Sequence, residues 1–161
     1  MIVLDTTVLV YAVGDAHAFR EPCRTLLSAI EADQVTATTT IEAVQEFTHV
    51  RARRRGRDDA AETAEAYIDL LSPLLTVDHS ALRTGLQLFR RHERLGSFDA
   101  VLIAAALAAG TSAVVSADAA FAGVPGLRHV VPDEAGVADL LSGAAPDADE
   151  PRPPHPREPS A

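Results

Sequence analysis

The chain has 161 residues, 47% apolar and 4% aromatic with no Trp, so a single domain around an aliphatic, Ala-rich core is expected. All 14 of its basic residues are Arg, which excludes P-loop chemistry and every other mechanism built on a Lys. The net charge of −9 is opposite to that of most nucleic-acid binders, and a single Cys excludes an internal disulfide.

The first stretch, MIVLDTTVLVYAV, runs a strand-like Ile2–Leu4 straight into Asp5, Thr6 and Thr7. A buried carboxylate without a partner is costly, so Asp5 either caps a following helix or meets positive charge. No basic residues precede this apolar run and Asp5 interrupts it, so no signal peptide is expected. Cys23 falls in a helix predicted over Pro22–Glu31, and a reduced, cytoplasmic setting follows. After a strand at Val35–Ala37 comes a helix over Thr40–Arg54. Thr39 and Glu42 fit a capping box, while Ile41, Ala43, Val44, Phe47 and Val50 form an apolar face with Glu46 at its margin. Glu46 is therefore preferred over Glu42 as an acid that reaches a cleft. The helix ends in the only basic cluster, Arg51–Arg57. Arg51, Arg53, Arg54 and Arg55 either complement the helix C-terminus or contact phosphates.

The second half continues the alternation. A helix at Asp59–Leu71, a strand at Leu74–Val77 and a helix at Ser80–Arg94 lead to RLGSFDAVLIAAALAAG. There Ser97 is the expected N-cap of a helix over Phe98–Ala109, with Asp99 in its first turn and Gly110 as its stop. The helix is apolar all round, so its start lies close to the core. At that position Asp99 complements the helix dipole, worth about 0.3–1 kcal/mol, and is kept ionised, as a metal ligand must be. SAVVSADAAF then repeats the opening pattern: a strand at Ala113–Val115, then Ser116, then Asp118. A last strand is predicted at Arg128–Val131. The longest uncharged run, Val101–Ala117, is split by Gly110 and Thr111 and is shorter than the ~20 apolar residues of a membrane span. From Gly143 the chain turns to Pro, Asp and Glu, and residues 143–161 are expected to be a disordered tail after a domain of residues 1–142.

Short strands alternating with helices predict an α/β domain with a parallel sheet covered on both faces. In such a sheet Asp5 and Asp118 emerge at the same carboxyl edge, where sites form. With Asp99 and Glu46 they make a set of sequence-distant acids suited to a hard divalent cation, which takes carboxylate, water and phosphate oxygens. Each acid alone also has an ordinary reading as a cap, a dipole partner or a solvated helix residue. The six His residues show no zinc-like spacing.

VLDTTVLV, a helix carrying QEF, SFDAVLIAAA and SADAAF, in that order, resemble the motifs of PIN-domain ribonucleases, and most of all the VapC-type toxins of toxin–antitoxin pairs. The resemblance spans about residues 1–132. It implies a three-layer α/β/α fold and an acidic, Mg²⁺- or Mn²⁺-dependent site that cleaves RNA. Matched residue by residue, the family's acids fall on Asp5, Glu46, Asp99 and Asp118, as metal ligands, with Glu46 alternatively orienting the attacking water. Thr7 and Ser116 stand where they can fix the carboxylates by hydrogen bonds. Asp5 and Asp99 lie in the best-matched motifs. Beside Asp118 this chain has Ala117 and Ala119, where relatives carry polar or acidic residues. The resemblance further implies a VapB-type antitoxin as partner and a homodimer.

The acidity is partly accounted for. The tail carries two of the nine excess negative charges and the four acids another four, leaving about −3 for the rest. Two rivals need groups this chain lacks: a haloacid-dehalogenase-like phosphatase needs a second Asp where Thr7 stands and a Lys, and a receiver domain needs the same Lys. An inactive PIN module that only binds RNA or a partner keeps no need for four acids, but remains the alternative to a nuclease.

Overall fold

In the computed structural model, which describes residues 1–143, four short strands alternate with seven helices. The strands are β1 (Ile2–Leu4), β2 (Ala37–Thr38), β3 (Ala113–Val115) and β4 (His129–Val130), all parallel, in the order β2-β1-β3-β4. Around them lie α1 (Thr6–Ala12), α2 (Arg20–Glu31), α3 (Ile41–Arg55), α4 (Arg57–Leu71), α5 (His79–Arg91), α6 (Ser97–Ala108) and α7 (Glu134–Gly143). None of the described helices is long and apolar enough to cross a membrane.

The central strands are buried on both faces, and their alternation sorts the two halves of the core. Ile2, Leu4, Ala113 and Val115 join one cluster with Leu9 of α1, Leu26 of α2, Phe47 of α3, Leu71 of α4 and Leu140 of α7. Val3 and Val114 join the other, with Ala100, Ile103 and Ala106 of α6 and Phe121. The result is the α/β/α layering predicted. Helix α6 is buried along most of its length because it lies between the sheet and α5. The two helices approach closely at Gly85, where an added Cβ would stand 2.7 Å from the Val101 Cα. That small contact leaves the larger apolar residues of α5, Leu82, Leu86 and Phe89, exposed, beside Phe98 of α6 at 69% exposure.

Helices α3 and α4 form a hairpin about Gly56, whose φ of +92° suits only glycine well. Phe47 meets Tyr67 edge to face at 4.9 Å, and the Tyr67 hydroxyl donates to the Leu9 carbonyl at 3.0 Å. Arg51 turns inward to close the same corner. It pairs with Asp59 through two nitrogens and donates to the Val13 carbonyl at 2.9 Å. The guanidinium beside it lowers the Asp59 pKa, so this pair's contribution is present at neutral pH and is lost as the pH falls through the lowered value. Arg51→Ala is expected to lower stability by about 1 kcal/mol from the lost Val13 bond alone, read by urea unfolding. An unchanged midpoint would show that the corner does not depend on Arg51.

Three predictions of local structure need correction. Leu74–Val77 is not a strand. A single parallel bridge joins Leu75 to Thr40, because β2 stops at Thr38 and Thr40 already begins the turn into α3. Helix α1, which the capping reading of Asp5 allowed for, was not among the predicted elements, and α7 was not expected before the tail. β1 and β3 match their predicted bounds, and the remaining elements differ from theirs by at most three residues at an end, as frayed termini do. Apart from Gly143, which ends α7, the predicted tail lies outside the described residues.

Candidate active site

The sheet order places the crossover point at β1 and β3. The chain leaves β1 for β2 on one side and returns to β3 on the other. Crevices at the carboxyl ends of such strands are where ligands bind. Asp5 follows β1 and Asp118 follows β3 at this edge, while α3 brings Glu46 and the first turn of α6 brings Asp99. All four line one cavity of about 540 Å³, together with Thr7, His17 and Arg54.

Asp5 is only 4% exposed, and it is the N-cap of α1. Its Oδ2 accepts from the Thr7 amide at 3.2 Å, the Thr7 hydroxyl at 2.6 Å and the Ser116 hydroxyl at 2.8 Å. Both hydroxyls are themselves held. Thr7 Oγ1 accepts from the Ala117 amide at 3.0 Å, and Ser116 Oγ from the Asp118 amide at 3.0 Å. The loop after β3 is thereby tied to the start of α1 through one carboxylate oxygen. His129 Nε2–H, donating to the Ser116 carbonyl at 2.9 Å, steadies the same loop. Asp118 caps the 3-10 turn Ala119–Phe121 through Oδ1, which accepts from the Ala120 amide at 2.8 Å.

Glu46 is fixed from α1 as well: the Thr6 hydroxyl donates to its Oε2 at 2.8 Å. Sequence reasoning missed this contact, because nothing in the spacing relates Thr6 to Glu46. The expected capping box does not form, because the cap lies one residue later and Ala43 stands three residues beyond it. Thr40, not Thr39, caps α3 by accepting from the Ala43 amide, while Thr39 donates to the Leu4 carbonyl at 2.6 Å. Glu42 therefore sits at the second helical position, and its Oε2 is buried without a partner among the described residues, beside an adjoining, more apolar cavity.

Asp99 carries its own clamp. Gly96, rather than Ser97, is the N-cap of α6, and its amide donates to Asp99 Oδ2 at 3.1 Å. A Cβ on Gly96 would lie 2.7 Å from that same oxygen. Gly96→Ala should leave the fold intact, since φ there is −66°, but push the carboxylate aside and cut catalytic activity about 10-fold or more. Wild-type rates in a normally folded Gly96→Ala protein would show that the clamp is dispensable. Asp99 is the acid whose ionisation is most disturbed. Its pKa is raised to about 6, first by burial and next by the Asp5 carboxylate; the Gly96 amide opposes both, and Asp118 and Glu46 add smaller upward pushes.

Each of the four carboxylates is thus held through one oxygen, with no described protein donor on the other. Among the described residues, no three acidic, imidazole or thiol groups already close on one point; the four acids line the same cavity, near enough for Asp5, Asp118 and Glu46 to raise the Asp99 pKa. Repelling carboxylates with oxygens to spare are the donor set a hard divalent cation takes, and the residues fit such an ion.

The four Arg singled out in the basic run divide. Arg51 is committed to Asp59 and Val13, and Arg55 pairs with Asp15 at 3.0 Å. Arg54 lines the acid cavity, and Arg53 is exposed away from it.

Comparison with known proteins agrees with this fold. The family model described as PIN domain matches residues 2–127. The chain is 50% identical over 142 residues to ribonuclease VapC7 of Mycobacterium tuberculosis, covering 88% of this chain and 98% of that protein. Among solved structures it resembles VapC20 of M. tuberculosis, described as a toxin that cleaves the sarcin–ricin loop. The TM-score is 0.64 at 17% identity, covering 80% of this chain and 99% of that one. It also resembles VapBC2 of Rickettsia felis bound to a promoter DNA fragment, with a TM-score of 0.65 at 16% identity, covering 81% and 98%.

Proposed function

This chain belongs to the PIN-domain family, and on that footing we propose that it is the ribonuclease toxin of a toxin–antitoxin pair, hydrolysing RNA phosphodiester bonds with Mg²⁺ or Mn²⁺. The observation that carries the reading is the meeting of four carboxylates from remote parts of the chain around one cavity.

Asp5, Asp99 and Asp118 would hold the cation, and Glu46 would either join them or orient the attacking water. When bound, the cation supplies an acidified water and neutralises charge building on the phosphate. Thr7 and Ser116 keep Asp5 from rotating, so its free oxygen stays directed at the cavity. Water attacks phosphorus in line, its hydroxyl joining the phosphate while a proton passes to the departing O3′. The products are a 5′-phosphate and a 3′-hydroxyl. Arg54 borders the acids and holds a neighbouring phosphate. Arg54→Ala should raise KM and reduce the slope of log KM against log salt by about one. An unchanged slope would remove Arg54 from the substrate path.

The exposed apolar strip of Leu82, Leu86, Phe89 and Phe98 supports protein partners: a second copy of the chain and a VapB-type antitoxin whose segment enters the acid cleft. A cytoplasmic setting suits an RNA substrate. The test is incubation of the purified protein with total RNA in Mn²⁺. Cleavage that EDTA stops and Mn²⁺ restores supports the reading. RNA that stays intact, though bound, supports the inactive module instead.

A further inference from the structure

The acid cavity does not end at the carboxylates. Its wall continues from Tyr11 in the last turn of α1 into the loop that follows, through Gly14 and His17. Tyr11 and His17 are stacked there, with ring centroids 4.3 Å apart and planes 24° from parallel. Phe19 meets Tyr11 edge-on at 5.5 Å and backs the pair. Tyr11 and Phe19 are half-buried, whereas His17 is exposed. His17 does not swing freely, because its Nδ1 accepts from the Phe19 amide at 3.2 Å.

Two residues of the basic run hold this loop in place. Arg51 donates to the Val13 carbonyl at its start, and Arg55 pairs with Asp15 within it. Hydrolysis as described above makes no use of the aromatic pair. A fixed, exposed ring backed by a second ring, in the wall of the acid cavity, offers a flat π face against which a nucleobase can stack. Stacking of that kind requires an unpaired base, since bases in a duplex already stack on their neighbours.

We propose that His17, supported by Tyr11, is a stacking platform for an unpaired base of the RNA next to the cleaved bond. The proposal rests on the ribonuclease reading and assigns a base-binding role to a residue outside the acid set. His17 is a positioning residue that acts on binding, while the acids act on the phosphate.

The test uses the full chain, Mn²⁺ and a fluorescein-labelled single-stranded RNA oligonucleotide that the wild type cuts. Copies of that RNA carry one abasic nucleotide on either side of the cut. His17→Ala is expected to raise KM about 10-fold, the scale of one lost stacked base. Its kcat should stay within about twofold of wild type. His17→Phe should restore KM, which a merely structural role for the imidazole would not allow. For the wild type, one of the two abasic copies should raise KM by a similar factor, and that penalty should vanish in His17→Ala. An unchanged KM in His17→Ala overturns the platform while leaving the ribonuclease reading intact. So does an abasic penalty of equal size in both proteins. A wild type that cuts no RNA with Mn²⁺ overturns both.

Discussion

Asp5→Asn is expected to lower kcat/KM for RNA by about 10³-fold or more, the scale of removing a preorganised charged group, while the protein stays folded. The substitution keeps an oxygen at the N-cap of α1, able to accept from the Thr7 amide and from the Thr7 and Ser116 hydroxyls. It removes the charge and turns the second oxygen into an amide nitrogen, while the cap is kept. Asp5→Ala would confound the two effects, since loss of an N-cap side chain costs about 1 kcal/mol and leaves two hydroxyls without their acceptor. Steady-state cleavage by Asp5→Asn, beside its circular dichroism melt, separates chemistry from folding. Cleavage within a few-fold of wild type would remove Asp5 from the site.

Asp99→Asn is the second large effect, and it has two opposite signs. Cleavage should fall by a factor comparable to that of Asp5→Asn, because another cation ligand is lost. Stability of the metal-free protein should rise. The Asp99 pKa is raised from its ordinary 3.8 to about 6, first by burial and next by Asp5, so the folded state binds a proton that the unfolded chain has released. Stability therefore falls as the pH rises between these values, and the full penalty is present at neutral pH. Asn carries no such penalty. In EDTA at neutral pH, Asp99→Asn should unfold at a higher temperature than wild type. The wild type should be more stable at pH 5 than at pH 7.5, and the variant should lose most of that difference. A variant that melts below wild type in EDTA would show that Asp99 is a structural cap more than a site acid.

How much of this was legible in the chain depends on which interactions decide each element. β1 and β3 announced themselves as short apolar runs that end in acids, and α6 as a continuous apolar stretch. Helix α1 did not. Its Thr6, Thr7, Val8 and Val10 are β-branched and disfavour helix, and what settles the matter is the Asp5 cap and burial of Val8 and Leu9. Helix α7 holds Gly136 and lies beside the Pro- and acid-rich tail, so its pattern was too short to stand out. Leu74–Val77 has the composition of a strand but no strand of useful length beside it.

The site was readable as a list and not as an arrangement. Asp5 and Asp118 were marked by position, and Glu46 by its place on the α3 wheel. That they face one cavity depends on β3 lying against β1, a pairing between residues more than 100 apart in the chain that no local pattern encodes. The supporting contacts were less visible still. Thr6 reaches Glu46, and Gly96, with no side chain to suggest a cap, leaves the room that Asp99 fills. The Tyr11 and His17 pair carried one signal, two of the chain's few ring side chains six residues apart, but only the return of the loop stacks them.

The most direct measurement is anomalous X-ray scattering at the manganese edge from crystals of the wild-type protein grown or soaked with Mn²⁺. The account predicts a peak between Asp5 and Asp99, with a carboxylate oxygen of each at about 2.0–2.4 Å, a distance typical of hard divalent ions. Crystals in which those two side chains are ordered and no peak lies between them, at a manganese concentration that supports cleavage in solution, would contradict it.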